Sequence, residues 1–223
     1  MNGLIVPIVF ATNDEYTLFC YNAIFSLIKN SSVHNEYKIY VFVTRVSEEN
    51  CQLLESLSKS NVEVKCVDIS GYTSNVNLKG SIHLSIETYY RLFIPLVLSQ
   101  YEEVLYLDSD MCIFADVGEL FKIGTHGFPI AAVPDTPCEI LQEHATEIGN
   151  LDARRVFNAG VLLINNRVFE EQRIRERCLE LLAEDYSRDV RKLIFADQDA
   201  LNLVLYGNYY VLNRKWNLQT QFL

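Results

Sequence analysis

The strongest constraint on the fold is an alternation near the start of the chain: three apolar, β-branched segments separated by two segments with helical spacing. Residues 3–12 form the first apolar run and open into Asn13-Asp14-Glu15. Asn13 or Asp14 is placed to cap a helix whose Phe19, Ala23, Leu27 and Ile28 share one apolar face. "YKIYVFVT" (37–44) reads as a second strand, Ser47-Glu48-Glu49-Asn50 starts a helix carrying Leu53, Leu54 and Leu57, and "VEVKCVDI" (62–69) reads as a third strand. Strands joined through helices at this spacing predict βαβ units, hence an α/β fold with a mostly parallel central sheet and helices on both faces.

Beyond Asp68 the pattern continues less regularly. The polar stretch Ser70–Gly80 predicts a mobile loop, and "SIETYYRLFIPLVL" a helix broken or ended by Pro95. "VLYLDSDMCIFAD" (104–116) begins as a buried strand, and "PIAAVPD" (129–135) and "FNAGVLLIN" (157–165) predict two more. Residues 168–186 predict one amphipathic helix through Ile174, Cys178, Leu181 and Leu182, and 197–206 another. Without an internal repeat or a linker, residues 1–223 are expected to form a single domain.

A hydrophobic fraction of 49% excludes a disordered chain. No apolar run approaches the roughly 20 residues that cross a bilayer, and the N-terminus lacks a basic region and a cleavage site, so a cytoplasmic protein is expected. The six cysteines are scattered without a C-x-x-C pair, which predicts buried free thiols in a reducing compartment. A formal charge of -10 offers no footprint for nucleic acid. The densest basic patches, "RRVFN" and "RIRER", read as solvated faces.

The most informative residues are Asp108 and Asp110, which end the fourth strand. Ligands of parallel α/β sheets bind beyond the carboxyl ends of strands. Period-two alternation puts both carboxylates on one side, where they repel unless a divalent cation lies between them. Oxygen ligands favour Mg²⁺ or Mn²⁺. The alternative is a turn cap at Asp108 and a solvated Asp110.

Other groups fit a nucleotide and a sugar. Asn13 and Asp14 end the first strand, where short polar groups can read a base or ribose. Arg91 is a cation for phosphate or hydroxyl, or else a surface ion pair. "FNAG" (157–160) allows close approach to backbone, or marks a β-bulge. "DQD" (197–199) sets acids and an amide at a helix start, where N-capping alone would explain Asp197.

In this order, "VFATNDEY", "HLSIETYYRL", "VLYLDSD", "FNAGVLLIN" and "DQDALN" resemble glycosyltransferase family 8, the retaining sugar transferases that include lipopolysaccharide galactosyl- and glucosyltransferases and glycogenin. The resemblance covers nearly the whole chain. It implies a GT-A fold that uses a UDP-sugar, UDP-glucose or UDP-galactose, with Mn²⁺ or Mg²⁺, and a saccharide or glycoconjugate acceptor. On that resemblance Asp108 and Asp110 hold the metal, with Ser109 between them at the donor. Ala11, Thr12, Asn13 and Tyr16 line the uracil and ribose pocket. Arg91 and Asp108 touch the donor sugar or its phosphate, and Asn158, Ala159, Asp197 and Gln198 surround the sugar ring. Gln198, Asp197, Asn158 and Arg91 are the catalytic candidates, while His83 and Asp135 match positions facing donor or acceptor.

The resemblance also implies a C-terminal His-x-x-Gly-x-x-Lys-Pro-Trp segment supplying a third metal ligand and a lysine. This chain ends at "KWNLQTQFL" and its histidines are His34, His83, His126 and His144, so a truncated domain is expected. Such a segment could also carry peripheral association with the inner face of a membrane. Two rival expectations are a domain that binds UDP-sugar and metal without turnover, and a haloacid-dehalogenase-type phosphatase, which also ends a strand in D-x-D. The phosphatase reading suffers from Met111-Cys112 after the motif and from its mid-chain position.

Overall fold

The computed structural model describes residues 3–74, 76, 85–136, 138–187 and 192–219. The first half follows the expected alternation: β1 (Ile5–Ala11), α1 (Thr17–Asn30), β2 (Glu36–Val43), α2 (Glu48–Glu55), β3 (Val62–Asp68) and a single turn α3 (Ser70–Thr73). A 3-10 helix (Ile86–Phe93) leads into α4 (Ile94–Val97) and β4 (Glu103–Leu107). Then come α5 (Val117–Phe121), β5 (Ile130–Pro134), α6 (Glu139–Gly149), β6 (Phe157–Asn165), α7 (Asn166–Glu171), α8 (Ile174–Tyr186), α9 (Asp197–Leu205) and β7 (Tyr210–Val211).

The strands form one sheet in the order β3-β2-β1-β4-β6-β5-β7. Alternation along β1 divides the core. Val6, Ile8 and Phe10 pack with Cys20, Ile24 and Leu27 of α1, while Val9 and Ala11 join Tyr89, Phe93, Tyr106 and Leu201 on the other face. Burying each such Leu or Phe contributes about 1.5–3 kcal/mol, so both faces resist a register slip.

β1 has β2 on one side and β4 on the other, all parallel, so the strand order switches between β1 and β4. That switch point opens a crevice at the carboxyl ends of both strands. β6, however, runs antiparallel to β4 and β5. The sheet is therefore mixed, and this orientation has a direct consequence: the start of β6, not its end, lies beside the end of β4. Asp108 N donates to Gly160 O at 2.9 Å. Against β5 the pairing skips from Ala132↔Leu162 to Val133↔Asn158, so the β-bulge alternative for "FNAG" is also realised.

Several local expectations are corrected. Phe19 is 54% exposed; Cys20 and Ile24 take its place inside. Asn13 Oδ1 accepts from Tyr16 N, but Asp14 turns away and accepts from Ser47 N, Ser47 Oγ and Asn50 Nδ2 at the start of α2. Pro95 occupies the first turn of α4 and so starts a helix, because its missing N–H is unneeded there. The helix expected over 168–186 is two, broken at Arg173 with φ 53°, and Leu181 is only half-buried. Of the stretch Ser70–Gly80, the beginning is helical; most of the rest, and His83, lie outside the described residues.

All six cysteines are free, but only Cys20 and Cys178 are buried; Cys112 and Cys138 are exposed. Among the described residues no helix is long and apolar enough to cross a membrane.

Candidate active site

A cleft of about 390 Å³ occupies the switch point. The end of β1 supplies Ala11, Thr12, Asn13, Glu15 and Tyr16; the 3-10 helix supplies Glu87, Thr88 and Arg91, with Ser85 just before it; β4 and the turn after it supply Tyr106, Asp108, Ser109 and Asp110. Ser109 donates its hydroxyl to the Ala11 carbonyl, tying the two strand ends together. Asn13 Nδ2 donates to Glu87 Oε2 at 3.2 Å, joining β1 to the 3-10 helix across the cleft.

Arg91 forms the floor and is 5% exposed. Its Nη2 donates to Asp108 Oδ1 at 3.0 Å and its Nη1 to the Ala159 carbonyl. Its Nε donates to Thr88 O and lies 2.8 Å from Asp197 Oδ2. The guanidinium also stacks over the Tyr106 ring at 4.3 Å. Burial opposes its charge, but Asp197, Tyr106 and Asp108 outweigh burial and hold its pKa above the usual value. Arg91 is thus no surface ion pair.

Asp197 sits behind it, 2% exposed, and accepts the Thr88 hydroxyl. Burial pushes its carboxyl up to about 6, against the pull of Arg91. Because the folded pKa lies above the unfolded value of 3.8, folding favours the protonated form. This one group therefore adds stability as pH falls from 6 towards 4, and loses that contribution as pH rises through 6. Activity should move the opposite way, since proton uptake removes a counter-charge from Arg91. A pH profile of turnover is expected to show an acid limb near pH 6 that Asp197→Asn abolishes; an unchanged limb would disprove the assignment.

At the rim Asp110 is exposed. Desolvation in the cleft, and then the Asp108 charge, raise its pKa. Asp108 is anchored on Oδ1 by Arg91 and by the Tyr106 hydroxyl at 2.8 Å. Its Oδ2 faces Gly160, where a Cβ would stand 2.8 Å from that oxygen and 3.0 Å from Asn158 Oδ1; only glycine permits this approach. Two carboxylates of like charge, one with its proton affinity raised by the other, suit a divalent cation. Among the described residues, no group of three or more His, Cys, Asp or Glu side chains is arranged to hold a metal.

The remaining expected residues form a second tier beside the cleft. Gln198 Oε1 accepts from Ala159 N at 3.0 Å and its Nε2 donates to Asp135 Oδ2 at 3.2 Å. Asn158 Oδ1 accepts from Gly160 N and from Asn217 Nδ2.

Tyr106, Thr88, Glu87 and Glu15 went unread in the sequence. Tyr106 had a signal, since it lies two before Asp108 on the same period-two face. Thr88 did too, three residues before Arg91 on one helical face.

The mixed sheet with its switch-point crevice agrees with the GT-A fold that the resemblance implies, the fold of the solved glycosyltransferases this chain superposes on. A family model described as glycosyl transferase family 8 matches residues 7–223. The chain belongs to that family and is a glycosyltransferase domain, which sets the phosphatase reading aside.

Relatives include general stress protein A of Bacillus subtilis, 29% identical over 97% of this chain and 74% of its own length. Lipopolysaccharide 1,2-glucosyltransferase of Escherichia coli is 26% identical over 92% of this chain and 60% of its own. Among solved structures, galactosyltransferase LgtC in complex with donor and acceptor sugar analogs superposes with TM-score 0.76 at 25% identity, covering 94% of this chain and 74% of that one. Several relatives are longer than the matched region: the chain spans 62% of one from Haemophilus influenzae and 47% of glycosyltransferase GlyB of Streptococcus pneumoniae.

Proposed function

We propose that the chain is the catalytic domain of a retaining hexosyltransferase that moves glucose or galactose from a UDP-sugar to a saccharide or glycoconjugate acceptor, with Mn²⁺ or Mg²⁺. One observation carries this reading. Among the described residues lining the cleft Arg91 is the one cation, and Asp108 and Asp197 already neutralise it. With Glu15, Glu87 and Asp110 also on the walls, a diphosphate needs a divalent ion between itself and the carboxylates. Asp108 and Asp110 would hold that ion, which would supply Lewis-acid stabilisation of the leaving diphosphate.

The chain's own residues then constrain the chemistry. Asp197 is buried and engaged by Arg91 and Thr88, so it is not free to attack an anomeric carbon. Gln198 is a neutral amide held at both ends, a poor nucleophile. Retention is therefore best served by same-face attack, with the acceptor hydroxyl entering on the side the diphosphate leaves. The side chains of Asn158 and Gln198 and the Asp135 carboxylate form the edge that would read sugar hydroxyls, and an epimer differs from its partner there by a single hydroxyl.

The test is calorimetric titration of UDP with Mn²⁺ and with a chelator, followed by hydrolysis of UDP-glucose, UDP-galactose and their N-acetyl forms. UDP binding that needs the ion, and turnover of a hexose donor, are expected. Ion-dependent binding without turnover of any donor would indicate a binding domain, and absence of UDP binding would sink both.

A further inference from the structure

Immediately before Asp197 the backbone turns in a way that alanine disfavours. Gln198 N donates to Phe195 O at 3.0 Å, closing a four-residue turn over 195–198. Ala196, its first central residue, has φ 48° and ψ -109°. These values lie near the about +60°, -120° of a type II′ turn, a place that glycine fills because a Cβ crowds the backbone there. The turn also aims two residues of the site: Asp197 towards Arg91, and Gln198 towards Ala159 N and Asp135.

Something outside the turn must hold it. Phe195 N donates to Asp199 Oδ2 at 2.9 Å, and the same oxygen lies 2.9 Å from Nε2 of His144 on α6. Both partners are buried, His144 at 7% and Asp199 at 4% exposed. The His144 ring meets the Phe195 ring edge-on, with centroids 5.1 Å apart. From α8, Asp185 Oδ1 accepts from Lys192 N and anchors the segment entering the turn.

We propose that His144 is a positioning residue for transfer: through Asp199 it clamps the strained turn that presents Asp197 and Gln198 to the site. For its catalytic consequence this rests on the transferase reading, but the clamp itself can be measured without any substrate.

The experiment combines His144→Ala, His144→Gln and Ala196→Gly in the full chain, read by amide hydrogen exchange and by kcat and KM for UDP-sugar hydrolysis. His144→Ala is expected to speed exchange at Phe195 and Ala159 by about 10-fold or more, leaving β1 to β3 unchanged. It should lower kcat by about 10- to 100-fold with little change in donor KM. His144→Gln, which keeps a donor, should restore part of both.

Adding Ala196→Gly to His144→Ala should restore exchange protection, because glycine adopts this conformation without cost; a merely structural histidine would gain nothing from that change. Uniformly faster exchange, or no rescue by glycine, would overturn the clamp. If His144→Ala does not fold, Ala196→Gly alone decides. Its thermal midpoint is expected to rise by about 2 °C or more, and a fall would refute a strained turn. Should the wild-type chain turn over no UDP-sugar, the transferase reading fails while exchange still decides the clamp.

Discussion

Replacing Asp110 with alanine is expected to lower UDP-sugar turnover by about 10²-fold or more, and to remove the divalent-ion dependence of UDP binding. The fold should survive. Asp110 is exposed at the cleft rim, and its charge is opposed by desolvation and by Asp108. Losing it relieves repulsion and opens no cavity, so the thermal midpoint should hold within about 2 °C or rise slightly. Calorimetry with and without Mn²⁺ measures the first effect and a melting curve the second. An Asp110→Ala chain whose UDP affinity still depends on Mn²⁺ as the parent's does would remove the aspartate pair from the metal site. Asp110→Asn, which keeps an oxygen but not the charge, should fall between the two.

Replacing Arg91 with methionine should do more damage to the protein itself, costing about 3–5 kcal/mol of stability. The guanidinium is buried against Asp108, Asp197, the Ala159 carbonyl and the Tyr106 ring. Methionine fills much of the volume but leaves the Asp197 carboxylate, already pushed up to about 6 by burial, without its counter-ion. Chemical denaturation of Arg91→Met, Asp197→Asn and the pair together gives the coupling directly. The double variant is expected to regain part of the loss, because neutralising Asp197 removes the uncompensated charge. Strictly additive losses would show that the two side chains do not act as one unit. Lysine in place of arginine should rescue poorly, since a compact ammonium cannot bond Asp108 and Ala159 while stacking on Tyr106.

Much of this arrangement is legible in the order of residues. The apolar alternation from Ile5 to Asp68 predicts β1 to β3 and their parallel pairing, because hydrophobic period and helical spacing are local properties. Asp108 and Asp110 also announce themselves, two acids ending a buried strand. What stayed illegible involves partners distant in sequence. Nothing near Asp14 says that it will cap α2 rather than its own helix. Arg91 is a candidate cation in the sequence, but its burial between Asp108 and Asp197, the latter 106 positions away, is visible only in the fold. His144 has no motif at all, and its meaning comes from Asp199 and the turn beside it.

The direction of β6 shows the division most sharply. A buried strand of nine apolar and amide residues is the same sequence whether it runs up or down the sheet, since side-chain alternation carries no sense of direction. Only antiparallel pairing with β4 sets Asn158 and Gly160 beside Asp108. Sequence alone determined the α/β class, the strand that carries the aspartates and the family. Tertiary structure decided which backbone end meets them and which buried cation anchors them, because charge neutralisation and close packing depend on distances in space that residue order does not encode.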